Sequence, residues 1–447
     1  MAGRLSPASR SPLSSSSIRN KYDPLYPQLR TAAKIWEENQ NNPAHADRWL
    51  ANFFHANRKK LGSRDRRFLA ETIYSLFRHQ LFLETWVRTL ASPEDNALPL
   101  FAAAAEGIIS PEEFTGAWGK RVESEGLTPS ELYHSLRNKE FPRSLKISSE
   151  EERLSLRYSF PLWLIRRWTK TFGAVECRKL LEASNERPPL VVRVNPLKMD
   201  REKLIARFRK KGFRVLPTER SPFGIFFLER VNLFDSEEFQ KGFFEIQDEG
   251  SQLVCQRMEP KPGEVIWDVC AGGGGKSLHL AALMQNKGRI IATDIRERKI
   301  EDLKKRAARA GAYNIFPAEL GRIEETREIK RGIDKILVDA PCSGTGTLRR
   351  NPDAKWKLTE EKLRAYHGDQ VAILEKALPH LKTGGRVYYV TCSLEPVENE
   401  EVMDEILGRH SELKKIAYPV SRDGYFRLLP HKHQTDGFFL GIAENKG

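Results

Sequence analysis

The chain has 447 residues, too many for one ordinary hydrophobic core, so two or three domains are expected. Its longest nearly apolar run, residues 98–109, is too short to cross a bilayer, and no apolar stretch follows the basic start, so neither a membrane-spanning nor a secreted protein is expected. The formal net charge is +14, concentrated in residues 1–246 with 41 Lys and Arg against 30 Asp and Glu, which fits either a nucleic-acid partner or a solvated basic surface.

Five cysteines are spread along the chain, and no C-x-x-C pair occurs among them: Cys177, Cys255, Cys270, Cys342 and Cys392. The wide spacing argues against a zinc site. The odd number fits a reducing cytoplasm, where free thiols are available for chemistry. We expect Cys177, Cys255 and Cys270 to pack as small apolar residues.

The first half of the chain is predicted to contain three regions. Residues 1–22 are rich in Ser, Pro and Arg and lack acidic residues, which is typical of a disordered basic tail. Residues 23–152 are predicted to be helical, because segments such as "RRFLAETIYSLFRHQLFLETWV" place apolar residues at helical spacing. Residues 153–246 are predicted to start with helices and to continue as a small α/β unit, with strands at "VVRV", "FRVLP" and "GIFFLER".

Residues 247–447 alternate between strand and helix patterns. Strands are predicted at "EVIWDVC", "RIIATDI", "NIFPAE", "IDKILVDA" and "RVYYVTC", with helices after them. This alternation predicts a parallel sheet with helices on both faces. Ligands of such sheets bind beyond the carboxyl ends of the strands, so we expect the functional site there.

The stretch "DVCAGGGGKS", residues 268–277, looks like a phosphate-binding loop between the first strand and its helix. The phosphate-loop pattern requires a glycine where Cys270 stands, so a nucleotide hydrolase is not favoured. A glycine loop followed about twenty residues later by an acid at the end of the second strand instead predicts a nucleoside cofactor, whose ribose Asp294 would bind.

Two further loops contain a cysteine each. "VDAPCSGTGTLRRNPD" follows the fourth strand and "VTCSLEPVENE" follows the fifth. Together with the glycine loop, the "RVNP" of the small unit and the "DGFF" near residue 438, they resemble the RNA (cytosine-5-)methyltransferases of the Sun type, which use S-adenosylmethionine. The resemblance covers most of the chain. The helical region also resembles the RNA-binding domain of the antitermination factor NusB, mainly in the stretch "GSRDRRFLAETIYSLFRHQ". Bacterial ribosomal-RNA members of the family carry such a domain.

The resemblance implies an α/β fold with a Rossmann-like class I methyltransferase domain at residues 247–447. It also implies two regions before that domain. Residues 23–152 would form a NusB-like all-helical RNA-binding domain, and residues 153–246 a helical linker with a small α/β RNA-binding subdomain. S-adenosyl-L-methionine is the implied cofactor. RNA is the implied partner, with ribosomal RNA favoured over transfer RNA. We expect a cytoplasmic monomer with no membrane partner.

The chemistry of cytosine explains why thiols are needed. Carbon 5 is too weakly nucleophilic to take a methyl group until a thiolate adds at carbon 6; loss of the carbon-5 proton and of the thiol then releases the product. A helix starting at Pro396 would lower the pKa of the Cys392 thiol, whereas the acidic run from Glu398 would oppose this effect. The resemblance implies that Cys392 is the nucleophile, that Cys342 assists release of the adduct and that Asp339 hydrogen-bonds N3 of the cytosine.

The other predicted site residues form two groups. Cofactor binding is predicted for Cys270, Ala271, Gly272, Gly273, Gly274, Gly275, Lys276, Asp294, Glu319 and Asp339. RNA binding is predicted for Arg193, Asn195, Arg349 and Arg350. The last two arginines would contact phosphate or order the substrate loop. No metal site is predicted.

Two positions depart from the family pattern. The glycine loop of the family reads C-A-A-P-G-G-K, whereas Gly272 and Gly273 here replace Ala and Pro, which predicts a more flexible loop and a lower cofactor affinity. The family also has an aspartate on the third strand that reaches the adenine amino group, and Glu319 is the nearest acid here. Three alternatives stay open: the same chemistry on transfer RNA, a non-catalytic RNA-binding assembly factor, and a methyltransferase of exocyclic amines.

Overall fold

The computed structural model describes residues 25–40, 42, 44–89, 97–118, 126–319, 327–419, 421 and 423–447. The predicted basic tail, residues 1–22, lies outside the described residues. The chain divides into two compact units, one of Met1–Asn42 and Phe53–Lys146, the other of Pro43–Asn52 and Ile147–Gly447. In the described part of the chain, every helix is too short or too polar to cross a membrane.

The first unit is helical, as the apolar spacing predicted. Its longest helix, α3, buries Ile73, Leu76 and Phe77 on one face. The helices of this region, of which α2 contributes to both units, are α1 (Tyr26–Asn39), α2 (Ala46–Ala56), α3 (Ser63–Val87), α4 (Ala97–Ala105), α5 (Pro111–Trp118) and α6 (Pro129–Asn138). The domain boundary predicted at residue 152 falls inside the next helix, α7 (Glu150–Tyr158), while the first unit ends at Lys146.

The second unit begins with three helices and a small antiparallel sheet of strand order β2-β3-β1-β4. The elements are α7, α8 (Leu162–Phe172), α9 (Ala174–Asn185), β1 (Leu190–Val194), α10 (Arg201–Lys210), β2 (Val215–Pro217), β3 (Gly224–Phe227), α11 (Glu237–Gln240) and β4 (Phe244–Ile246). Val192 and Val194 of β1 share an apolar core with Phe208 of α10. Because side chains alternate along a strand, Arg193 points to the opposite face of the sheet.

The larger sheet has strand order β10-β12-β9-β8-β5-β6-β7, with β11 paired to β12. Its elements are α12 (Glu249–Arg257), β5 (Val265–Asp268), α13 (Gly275–Leu283), β6 (Arg289–Asp294), α14 (Glu297–Ala310), β7 (Ile315–Glu319), α15 (Arg327–Arg331), β8 (Ile333–Asp339), α16 (Ala354–Lys357), α17 (Glu360–Ala377), β9 (Leu381–Thr391), α18 (Glu400–Arg409), β10 (Leu413–Lys415), β11 (Phe426–Leu428), α19 (Pro430–His433) and β12 (Phe438–Asn445). Strands β5 to β9 pair in parallel, as predicted. The antiparallel strands β10 to β12 were not predicted.

The order in which the strands are added to the sheet reverses at β5. From β5 the chain continues outward through β6 and β7 on one side, and then returns to β8 and β9 on the other. Apolar cores lie on the two faces of the sheet, between it and the helices. The crevice at the carboxyl ends of β5 and β8 is therefore the place where a ligand of such a sheet is expected.

Candidate active site

Two loops bring a pair of sulfur atoms together at this crevice. Cys342 follows β8 and Cys392 follows β9, and these strands pair in parallel with Asp339 opposite Val390, so both loops leave the same edge of the sheet. The two Sγ atoms lie 3.4 Å apart, and both side chains are half-buried. The structure thus places the two predicted catalytic cysteines in direct contact.

Contact between the sulfurs favours a protonated Cys342. The hydrogen bond with Cys392 and burial raise the pKa of the Cys342 thiol well above its ordinary value, and the charge of Glu398 adds to the shift. Either sulfur can be the donor of the S–H bond that joins them. The predicted helix at Pro396 is only a 3-10 turn, Pro396–Glu398, and the α-helix begins further along the chain at Glu400.

Glu398 joins the two cysteine loops, a role that sequence reasoning missed. Its side chain is fully buried. The backbone N–H of Ser343 donates to Oε1 at 2.8 Å, and the hydroxyls of Ser343 and Ser393 both donate to Oε2. Gln370 Nε2 donates to Oε1 at 3.2 Å. The signal was present in the sequence: a serine follows each cysteine directly. The carboxylate predicted to oppose the thiolate is engaged in these bonds.

A glycine contact holds the same loops from the side of β12. Gly346 N donates to the Cys392 carbonyl at 2.8 Å, and Gly437 N donates to the Gly346 carbonyl at 2.8 Å. A Cβ on Gly346 would lie 2.5 Å from the Gly437 oxygen, so no side chain fits there. This contact explains the glycine of the "DGFF" stretch.

Lys276 and Asp339 form an ion pair between the start of α13 and the end of β8. Lys276 Nζ donates to Asp339 Oδ2 at 2.6 Å, with the lysine side chain 9% exposed and the aspartate 33%. Burial lowers the pKa of Lys276, but the Asp339 carboxylate more than offsets this, and the net pKa is raised. The lysine is bound by a carboxylate, which is not the arrangement of a phosphate-binding loop.

The glycine loop is tied to β6. Ala271 N donates to the Thr293 carbonyl at 2.8 Å, and Gly272 N donates to Asp294 Oδ2 at 3.0 Å. Asp294 Oδ1 also accepts the backbone N–H and Nε of Arg296, each at 2.9 Å. Burial raises the pKa of Asp294, but the Arg296 bonds outweigh it and leave the pKa below its ordinary value. Its binding of a ribose stays a prediction.

Several features fit a nucleoside-bearing cofactor in this crevice. Gly272 and Gly274 have positive φ, a conformation that favours glycine, and the space at the Cβ position of Gly272 is open. Ile295, beside Asp294, is 82% exposed, and no sequence pattern singled it out. Burial raises the pKa of Asp268 to about 7, and its Oδ1 has no hydrogen-bond partner among the described residues. The side chain of Glu319 lies outside the described part, so its predicted adenine contact stays a prediction.

The predicted RNA-binding residues of the small unit make internal contacts. Arg193 is 2% exposed and donates through Nη1 to the Gly275 carbonyl at 2.7 Å. Asn195 Nδ2 donates to the carbonyls of Gly242 and Ala310 at 2.9 and 2.7 Å. Both side chains join the small sheet to helices α13 and α14 beside the larger sheet, because a buried polar group needs a partner. An RNA contact would require these bonds to open.

Arg349 and Arg350 are also held by the protein. Arg349 Nε donates to Asp436 Oδ1 at 2.8 Å, and Arg350 donates to Asp436 and to Asp248, the latter at 2.9 Å. Burial and the charge of Asp436 raise the pKa of Asp248 to about 6. The contacts correspond to the loop-ordering role considered for these arginines. Phosphate binding by them stays a prediction.

The remaining cysteines are packed as expected. Cys177 and Cys255 are buried and Cys270 is half-buried. Burial raises the pKa of all three thiols, to about 12 for Cys255 and Cys270. Among the described residues, His, Cys, Asp and Glu side chains form no cluster that could hold a metal ion.

Comparison with known proteins decides the family. The family model "16S rRNA methyltransferase RsmB/F" matches residues 255–443, and the model of the RsmF/B-like ferredoxin-like domain matches residues 160–233. A "Probable ribosomal RNA small subunit methyltransferase B" of Bacillus subtilis (strain 168) is 32% identical over 328 residues, 71% of this chain and 73% of the relative. The chain belongs to the RsmB/F family of methyltransferases. The resemblance seen in the sequence is thereby confirmed.

Solved structures agree with an RsmB/F fold along most of the chain. The crystal structure of PH0851 is similar with a TM-score of 0.74 at 27% identity, covering 94% of this chain and 98% of PH0851. A methyltransferase homologue from Pyrococcus horikoshii has a TM-score of 0.59 at 30% identity and covers 67% of this chain and 100% of its own. The predicted Rossmann-like methyltransferase domain with a helical region before it is confirmed.

Proposed function

We propose that this RsmB/F protein transfers a methyl group from S-adenosylmethionine to carbon 5 of a cytosine in ribosomal RNA, with Cys392 as the nucleophile. The observation that carries this proposal is the 3.4 Å contact between the sulfurs of Cys342 and Cys392 at the ligand crevice. A methyltransferase of exocyclic amines needs no nucleophilic thiol, so a pair of them favours the carbon-5 reaction. The family description supports ribosomal RNA over transfer RNA.

The residues around the crevice fit the cofactor. The glycine loop leaves space free of side chains at Gly272, Asp294 would take the ribose hydroxyls, and Asp268 Oδ1 is a buried acceptor with no partner among the described residues. When bound, S-adenosylmethionine supplies an electrophilic methyl group on a sulfonium.

The protein side chains then act in sequence on the cytosine. The Cys392 thiolate bonds to carbon 6, and N3 of the ring takes up a proton from solvent; the N3–H would donate to Asp339 while Lys276 keeps that carboxylate in place. Carbon 5 takes the methyl group and then loses its proton to solvent, and the electrons of that carbon–hydrogen bond form the carbon 5–carbon 6 double bond. The carbon 6–sulfur bond breaks with its electrons going to sulfur, the Cys342 thiol gives its proton to that sulfur, and N3 returns its proton to solvent.

Two variants test the assignment of the cysteines. We expect Cys392→Ala to abolish methyl transfer to ribosomal RNA and to leave S-adenosylmethionine binding unchanged by calorimetry. We expect Cys342→Ala to accumulate a protein–RNA adduct that survives denaturing electrophoresis, because the departing sulfur has lost its proton donor. Cys177→Ala, which removes a thiol buried elsewhere, is the matched control.

The outcomes separate the proposal from its alternatives. Normal turnover by Cys342→Ala with no adduct would show that the two-thiol mechanism is wrong. No binding of S-adenosylmethionine at millimolar concentration would favour the non-catalytic assembly factor. Bisulfite sequencing of ribosomal and transfer RNA from cells with and without the gene identifies the substrate, and a site found only in transfer RNA would overturn the ribosomal assignment.

A further inference from the structure

The glycine loop is the part of the predicted cofactor site that departs from the family, and two of its backbone carbonyls accept hydrogen bonds from arginines. Arg306 Nη1 donates to the Gly273 carbonyl at 2.5 Å, and Arg193 Nη1 donates to the Gly275 carbonyl at 2.7 Å. Charged donors make the stronger hydrogen bonds of proteins. A loop rich in glycine, which has many backbone conformations to lose, is thus bound from outside at two of its carbonyls.

Arg306 is itself held in place. It lies on α14, and its Nη2 donates to Glu245 Oε2 at 2.9 Å. Glu245 is buried on β4 and also accepts from Arg309 at 2.5 Å. Because β4 pairs with β1 so that Glu245 stands opposite Arg193, one pair of strands in the small sheet supports both contacts to the loop.

The space at Gly273 is matched to Arg306. A Cβ on Gly273 would lie 2.9 Å from Arg306 Nη1, closer than real contacts allow. Any larger residue at position 273 would therefore displace the guanidinium.

We propose that Arg306, held by Glu245, is a positioning residue for the cofactor, and that it orders the glycine loop before the cofactor binds. This inference rests on the proposed use of S-adenosylmethionine at this crevice. It explains how a loop with Gly272 and Gly273 in place of Ala and Pro can still hold one backbone conformation. Arg306 touches no reacting atom; it acts through the Gly273 carbonyl.

The test compares Arg306→Met with Lys305→Met in the full chain. Lys305 is an exposed neighbour on α14, so both variants lose one positive charge from the same helix. We expect Arg306→Met to weaken the binding of S-adenosylmethionine about tenfold by calorimetry, because a charged hydrogen bond is lost, and Lys305→Met to leave it unchanged. Without cofactor, amide hydrogen exchange of residues 270–276 should be faster in Arg306→Met than in Lys305→Met.

A double-variant cycle separates loop positioning from general damage. We expect Gly273→Ala alone to weaken cofactor binding, because its Cβ displaces the arginine, and to have little further effect once Arg306→Met is present. Glu245→Gln keeps Arg306 but weakens the hydrogen bond that holds its guanidinium, so it should weaken cofactor binding less than Arg306→Met does. This variant replaces Arg306→Met in the test if Arg306→Met is poorly folded. Equal affinities and equal loop exchange in Arg306→Met and Lys305→Met would overturn the inference.

The result does not depend on the reaction catalysed. If the wild-type protein binds S-adenosylmethionine but methylates no cytosine, the proposed function fails and the affinity measurements still decide the role of Arg306. If the wild-type protein binds no S-adenosylmethionine, the cofactor role of Arg306 falls with it, and the exchange experiment shows separately whether the arginine orders the loop.

Discussion

The glycine loop and the two cysteine loops meet at one crevice but are stabilised in opposite ways. The glycine loop is held through its backbone, by β6 on one side and by two arginines on the other. The cysteine loops are joined mainly by the side chain of the buried Glu398 between them, with a backbone contact at Gly346 beside it. The comparison suggests that changes on the cofactor side mainly alter affinity, whereas changes on the cysteine side mainly alter the rate.

The largest effect should come from breaking the link between the cysteine loops. We expect Glu398→Ala to lower kcat at least about 100-fold, because the two sulfurs lose their fixed spacing and small misplacements are costly in catalysis. The affinity for S-adenosylmethionine should stay unchanged. Single-turnover methylation and calorimetry measure the two effects, with the exposed Glu401→Ala as control. A rate within threefold of that control would refute the role given to Glu398.

An intermediate effect on both sides should follow from Lys276→Met, because Lys276 joins the start of α13 to the end of β8. We expect cofactor affinity and kcat each to fall about tenfold, since a buried charge-assisted bond is lost and Asp339 is no longer held in position. The affinity loss should be smaller in Lys276→Met combined with Asp339→Asn, where no charge is left unpaired. If only the cofactor affinity or only kcat falls, Lys276 serves one of the two loops alone, and the contrast between the glycine loop and the cysteine loops is sharper than we expect.

The smallest effect concerns pH and the turn after Cys392. Burial lowers the pKa of His367, but its bonds to the Val397 carbonyl and to Glu405 more than offset this, so the net pKa lies above 6.5. The protonated ring therefore adds stability below pH 6.5, and this contribution is lost as the pH rises through the folded pKa. We expect His367→Gln to lower the free energy of unfolding at pH 6 by less than about 1 kcal/mol. At pH 9 we expect the substitution to leave that free energy unchanged.

Urea unfolding at both pH values measures this difference. Glu405→Gln should remove the same pH-dependent part, because it deletes one of the two partners of the ring. An effect of His367→Gln that is equal at pH 6 and pH 9 would show that the side chain contributes packing and no charge.

Sequence patterns predicted the positions of the residues on the two cysteine loops better than the residues that hold these loops in place. Strand periodicity placed Asp339, Cys342 and Cys392 at neighbouring strand ends, because parallel strands bring their carboxyl ends to one edge. The pattern could not show that Glu398 turns inward, since an acid in an acidic run looks the same whether it is solvated or buried. The antiparallel strands β10 to β12 were missed because they are short or follow no helix of the alternating pattern.

The arginines show a second limit of sequence reasoning. Arg193 lies in a motif of the small unit and was expected to bind RNA; Arg349 and Arg350 follow the Cys342 loop and were expected to contact phosphate or to order that loop. Their partners are far along the chain: a glycine carbonyl at position 275 for Arg193, and Asp436 for the other two. Such pairings depend on the assembled fold and leave no local signal.

The packing of Gly437 against Gly346 ties catalysis to the order in which the polypeptide is made. A nascent chain that ends before Asp436 has both sulfurs, the whole cofactor loop and Glu398, yet it lacks the Gly437 backbone that supports the turn at Gly346 and the Asp436 carboxylate that restrains Arg349 and Arg350. The last segment to be synthesised therefore completes the support of the Cys342 loop.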